Sequence, residues 1–183
     1  MSAMNTLTLT QNAGHLKSGW LILMVAVLSW PLASWGTTTT TLSGKVIHIV
    51  DGDTFDVLDA AREKHRIRVS CMDTPEKGQA FYRRAKDALA DLIAGRDVIV
   101  QSYKKDRYGR LVGEVVGIDL CLKMIESGMA WHNLPYAREL APGRASVLVE
   151  AEQGAQSRHD GLWADSSPQP PWELRRQQRE GHR

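Results

Sequence analysis

Three strand-like stretches precede the first helical period in this chain, and that order constrains the fold more than any other feature. Gly44-Lys-Val-Ile-His-Ile-Val50 is rich in β-branched residues and runs into the turn signal Asp51-Gly-Asp53, so it reads as a strand. Thr54 to Leu58 returns as a second, with Phe55 and Val57 alternating. His65 to Cys71 alternates most cleanly: Ile67, Val69 and Cys71 face one way, Arg66, Arg68 and Ser70 the other. Gln79 to Ala94 then repeats apolar residues with helical spacing at Phe81, Ala85, Ala88, Leu89, Leu92 and Ile93, and Gly95 stops it. Asp97 to Tyr103 and Arg110 to Val116 read as two more strands, joined by Lys104-Lys-Asp-Arg-Tyr-Gly-Arg110; Leu120 to Ser127 and Val147 to Ser157 read as helices. Five short strands with a helix after the third do not alternate as a doubly wound sheet requires. An α+β fold, mainly β, is expected: a five-stranded barrel of the OB type with about three helices.

The 183 residues amount to one domain, and 43% apolar content argues against a disordered chain. With 23 Lys+Arg against 21 Asp+Glu the net charge is +2, which excludes a histone-like polycation. Any anionic partner must meet positive charge concentrated on one face.

Lys17, the short apolar stretch Trp20 to Trp30 and the small residues near Gly36 have the layout of a secretory signal peptide over residues 1–36, with an uncleaved N-terminal anchor as the competing reading. Removing those residues takes one Lys and no acid, leaving +1. The expectation is an exported protein, periplasmic or secreted, meeting a membrane only if that segment is retained. A Thr-rich linker over 37–43 then leads into a domain over 44–165, and a Pro-rich, then basic, tail over 166–183 lies over the surface or loose. Cys71 and Cys121 have no metal-ligand spacing; one disulfide and two buried thiols both fit.

Charge gathers in three separate places: Asp51-Gly-Asp53-Thr54, Asp73-Thr-Pro-Glu76, and Asp106-Arg-Tyr-Gly-Arg110, with Arg68 five residues before Asp73. Carboxylates from two loops can converge on one hard cation such as Ca²⁺. Arginines grip the nonbridging oxygens of a phosphodiester and neutralise charge that grows as it is attacked. Each piece alone is an ordinary turn or hairpin; their order and spacing point to metal-assisted phosphodiester hydrolysis.

Val50-Asp-Gly-Asp-Thr54, Arg66-Ile-Arg68, Met72-Asp-Thr-Pro-Glu76, Asp106-Arg-Tyr-Gly-Arg110 and Gly161-Leu-Trp163 together resemble the thermonuclease, or staphylococcal-nuclease-like, family from about Gly44 to Trp163. The resemblance implies an OB-fold and a Ca²⁺-dependent nuclease that cleaves the P–O5′ bond of DNA and RNA and leaves 3′-phosphate ends. Asp53 and Asp73 match the family's metal carboxylates, Thr74 its main-chain carbonyl ligand and Asp51 a carboxylate beside the metal loop. Glu76 matches the usual general base; Arg68 and Arg110 match the phosphate-gripping arginines. Tyr108 matches a nucleotide-contacting aromatic, while Lys104 and Arg107 are candidates for steering the backbone. The family's tyrosine-rich segment after the second helix is replaced by Trp131-His-Asn-Leu-Pro-Tyr136, which leaves Tyr136 as a base-stacking candidate and Trp131 as core. DNA and RNA are the implied partners, with a monomer and no stable protein partner expected. The alternative is a catalytically silent OB module that binds nucleic acid or protein; against it, every charged residue matching the catalytic set is retained.

Overall fold

The structure, a computed structural model, describes residues 39–133 and 140–181. The N-terminal segment read as a signal peptide or anchor lies outside them, and so does Tyr136. Strands β1 (Thr40–Asp51), β2 (Thr54–Asp59), β3 (Lys64–Val69), β5 (Asp97–Lys105) and β6 (Leu111–Val115) close a barrel in the order β1-β2-β3-β6-β5, with β5 returning to β1. All its pairings are antiparallel except β3 with β6. A two-residue strand β4 (Met72–Asp73) pairs outside the barrel with β7 (Trp131–His132). The helices are α1 (Tyr82–Ile93), α2 (Leu120–Glu126), α3 (Arg144–Arg158) and α4 (Pro171–Glu180). This is the expected OB-fold barrel of an α+β chain, with one helix more.

The alternating strands fill the barrel as their sequences require: Phe55, Val57, Ile67, Val69 and Val100 are buried, and Ala85, Leu89 and Ile93 of α1 close over them with Met124 and Ile125 of α2. Each of these side chains larger than Ala85 contributes about 1.5–3 kcal/mol by leaving water. Cys71 and Cys121 form a disulfide with a Cα separation of 6.0 Å, fastening the chain beside β4 to α2.

Four expectations are corrected. The Thr run is strand from Thr40, not linker to residue 43: these β-branched residues pair with Val100, Gln101 and Ser102 of β5 and extend β1. Helix α1 starts at Tyr82 rather than Gln79, because the Gln79 side chain is engaged with the backbone of Glu76 and Gln169 and Phe81 is left-handed. Helix α3 starts at Arg144 rather than Val147, with the Arg144 side chain paired to Asp119. The tail is not loose: Pro171 stands at the first position of α4, where a missing N–H costs nothing, so the proline starts a helix instead of breaking one.

Gly161 explains its place in the Gly161-Leu-Trp163 motif. Its backbone crosses that of Gly128, a Cβ on Gly161 would stand 2.3 Å from the Gly128 carbonyl oxygen, and Leu162 donates to that same oxygen at 2.8 Å. Residues past α3 are thereby stitched to the end of α2.

Candidate active site

The β1–β2 turn, the end of β3 with the segment after it, and the β5–β6 loop meet at a cleft of about 570 Å³. Asp51, Asp53, Arg68, Asp73, Glu76, Arg107, Tyr108 and Arg110 all line it. Register brings the first pieces together: β3 sets Arg68 beside Thr54 on one side and Val112 on the other, and the Val69 amide donates to the Asp53 carbonyl at 2.9 Å.

Asp53 is buried and fully engaged. One carboxylate oxygen accepts from the Thr54 hydroxyl at 2.9 Å; the other accepts from the Thr74 amide and hydroxyl at 3.2 and 3.1 Å and pairs with Arg68. Gly52 makes that approach possible, since a Cβ there would lie 2.9 Å from both the Thr74 hydroxyl and the Ala85 methyl. Asp51 accepts from the Asp53 amide at 3.2 Å. Burial pushes the Asp53 carboxyl up to about 6, the Arg68 guanidinium pulls it down and neighbouring Asp51 adds to the rise.

Arg68 reaches the other way to donate to Asp73 at 2.8 Å, so one guanidinium bridges the two carboxylates. Asp73 also pairs with Arg175 of α4, which donates in addition to Glu76 at 2.6 Å. Partial burial works against the charge on Arg175, yet the bonds to Asp73 and Glu76 outweigh it and hold the guanidinium above its ordinary range. Across the cleft, Asp106 accepts from the amides of Tyr108 and Arg110 at 2.9 and 3.0 Å and from the Arg110 Nε at 2.6 Å. That fixes the loop and aims Arg110. Tyr108, 69% exposed, carries Arg107 at 4.9 Å and Arg110 at 5.5 Å over its ring.

One candidate falls elsewhere. Lys104 belongs to β5, beyond the residues that line the cleft, with its ammonium 5.6 Å from the Tyr103 ring. Thr74, by contrast, is buried against Asp53, to which its amide and hydroxyl both donate. Trp131 packs as core, edge-on to Trp163 at 5.9 Å.

The donors suit a hard divalent cation: they are oxygens only, and a buried carboxylate with a raised pKa is one that a cation relieves. The cleft carboxylates are nevertheless spaced by guanidiniums, Arg68 between Asp53 and Asp73 and Arg175 between Asp73 and Glu76. Among the described residues, Asp59, Glu63 and His65 draw three ligand atoms within 4.8 Å of one another, on the β2–β3 hairpin rather than in the cleft.

A model described as "Staphylococcal nuclease homologue" matches residues 66–165. The chain belongs to this family. An uncharacterized endonuclease of Escherichia coli O157:H7 is 34% identical over 153 residues, covering 82% of this chain and 92% of that one. A micrococcal nuclease of Shigella flexneri is 35% identical over 167 residues, 85% and 88% of the two chains. The Escherichia coli protein ParB is 37% identical over 147 residues, 74% and 80%.

Three polar residues join this staphylococcal nuclease homologue's cleft that pattern reading missed: Arg175, Asn133 and Ser70. Ser70 has a buried hydroxyl without a hydrogen-bond partner among the described residues. Arg175 left one usable signal, a proline at a helix start with Glu173 in its first turn. Nothing in the sequence showed where that helix would lie.

Proposed function

We propose that the protein is a Ca²⁺-dependent nuclease that hydrolyses DNA and RNA at the P–O5′ bond with little sequence preference and leaves 3′-phosphate ends. The observation that carries the reading is the convergence of Asp53, Asp73 and Glu76 with Arg68 and Arg110 on one cleft, from loops far apart in the chain. Asp53 and Asp73, with the Thr74 carbonyl, would hold the ion, which supplies a Lewis acid for a phosphate oxygen. Arg68 and Arg110 neutralise charge on the nonbridging oxygens, and Arg110, already aimed by Asp106, stands to assist departure of the 5′ oxygen. Glu76 orients water for in-line attack and accepts its proton; its side chain is 41% exposed, so it is open to solvent water. Tyr108 offers an exposed face for a base to stack on.

The same reading has the protein exported, in the periplasm or medium, acting as a monomer. The Cys71–Cys121 disulfide supports an oxidising compartment.

The test is degradation of plasmid and RNA by the purified protein across a metal panel. Ca²⁺ should switch activity on and EGTA switch it off, with 3′-phosphate ends on the products. Activity that survives both EGTA and Glu76→Gln sinks the mechanism.

A further inference from the structure

Arg175 reaches the cleft from outside the family match, which ends at residue 165. Its guanidinium takes both carboxylate oxygens of Asp73 and one oxygen of Glu76, while Arg68 already holds Asp73 from the other side. A carboxylate clasped by two arginines has little left to offer a cation. We propose that Arg175 is the resident cation of the site, that it competes with the divalent metal for Asp73 and Glu76, and that it thereby sets the affinity with which the metal enters.

The proposal rests on the metal reading above and adds to it a named competitor. The exchange is electrostatically sound, because Asp73 is never left buried and uncompensated: one cation leaves as another arrives. The helix itself has separate anchors. Trp172 sits edge-on to Trp131 at 6.2 Å, the Gln79 side chain donates to the Gln169 carbonyl at 2.9 Å, and Pro171 is buried. Trp131 is the partner of Asp73 in the β4–β7 ladder. Trp172 and Arg175, three residues apart, share one helix face, so α4 grips the same small sheet with an aromatic ring and a guanidinium. The long arginine side chain can therefore swing away while α4 stays docked.

Calorimetric titration of Ca²⁺ into the full chain tests this in four proteins: wild type, Arg175→Ala, Arg175→Lys and Arg176→Ala. Arg176 is the neighbour on the same helix and makes no hydrogen bond or ion pair with Asp73, whose partners are Arg68 and Arg175, so its loss changes net charge equally without freeing that carboxylate. Arg175→Ala should bind Ca²⁺ about tenfold more tightly than wild type, and Arg176→Ala within about twofold of it. Arg175→Lys, which keeps the charge but not the fork, should fall between. If the alanine variant fails to fold, the lysine variant decides: tighter binding supports the proposal, and equal or weaker binding overturns it. Wild-type affinity in Arg175→Ala overturns it, as does equal tightening by Arg176→Ala, which would reduce the effect to bulk charge. No saturable Ca²⁺ binding in any of the four removes the metal reading and the proposal with it.

Discussion

Thr74 donates both its amide and its hydroxyl to one oxygen of Asp53, at 3.2 and 3.1 Å, across a sequence separation of 21 residues. This contact fastens the β1–β2 turn to the segment after β4 and holds two of the site's acidic loops in fixed relation. Thr74→Val keeps the shape and removes the hydroxyl, leaving a buried carboxylate oxygen one donor short. The expected loss is about 1 kcal/mol in urea unfolding, with Thr74→Ser close to wild type. Equal stability of the valine and serine variants would show that the hydroxyl contributes nothing.

If Asp53 holds the cation as proposed, metal binding is pH-dependent. Burial raises its carboxyl from an ordinary 3.8 to about 6, so the folded chain keeps a proton that the unfolded chain has given up. Its contribution to stability is therefore full below 3.8 and is lost as pH rises through about 6. A cation needs the ionised form and must displace that proton, so Ca²⁺ affinity should be flat above pH 7 and fall by up to about tenfold per pH unit below 6. Calorimetry at pH 5, 6 and 7.5 checks this; affinity unchanged between pH 5 and 7.5 contradicts it.

The barrel was legible because strand alternation is a local property: Ile67 and Val69 against Arg66 and Arg68 announce a two-sided strand before any partner is known. The charged loops were legible because turn chemistry and carboxylates coincide in Asp51-Gly-Asp53 and Asp73-Thr-Pro-Glu76. Arg175 was not, because its role depends on where α4 docks, and that is set by Trp172 meeting Trp131, residues 41 positions apart that carry no shared pattern. Proline was misleading for the same reason. Pro168, Pro170 and Pro171 break a helix or begin one according to the conformation of the residues after them.

Asp106 should matter to catalysis without touching substrate. By accepting from the Tyr108 and Arg110 amides and the Arg110 Nε it fixes both the loop and the guanidinium. Arg110→Ala should lose about 3 kcal/mol of transition-state stabilisation, by analogy with removal of one preorganised donor. Asp106→Asn retains the amide contacts and weakens the pull on the guanidinium, so its loss should be smaller and fall on kcat more than on KM. A folded Arg110→Ala enzyme of near wild-type kcat/KM refutes the assignment.

Asp56 stabilises the barrel wall away from the cleft. It is buried and receives two bonds from Arg66, at 2.8 and 3.1 Å, which with help from Lys64 hold its carboxyl below the ordinary 3.8 despite burial. A lowered carboxyl stabilises the fold above its unfolded value and loses that contribution as pH falls through its folded one. Arg66 is 45% exposed, so solvent screens the pair, and Asp56→Asn should cost about 1 kcal/mol at pH 7. The difference from wild type should shrink as pH falls below 3.8 in urea titrations. A difference that persists there would assign the effect to packing.

The disulfide offers the last test, because it joins stability to the site. Cys71 lies two residues before Asp73, and its bond to Cys121 closes a loop with a sequence separation of 50 residues. Chain-entropy arguments put the cost of removing such a link at about 4 kcal/mol. Reduction, or Cys71→Ser with Cys121→Ser, should lower the melting temperature sharply. It should also weaken Ca²⁺ binding, because β4 then keeps its pairing to Trp131 but loses its covalent tie to α2. The two effects separate on adding stabilising salt: if affinity recovers fully once the reduced chain is folded, the disulfide serves folding alone, whereas a residual deficit shows that it positions Asp73.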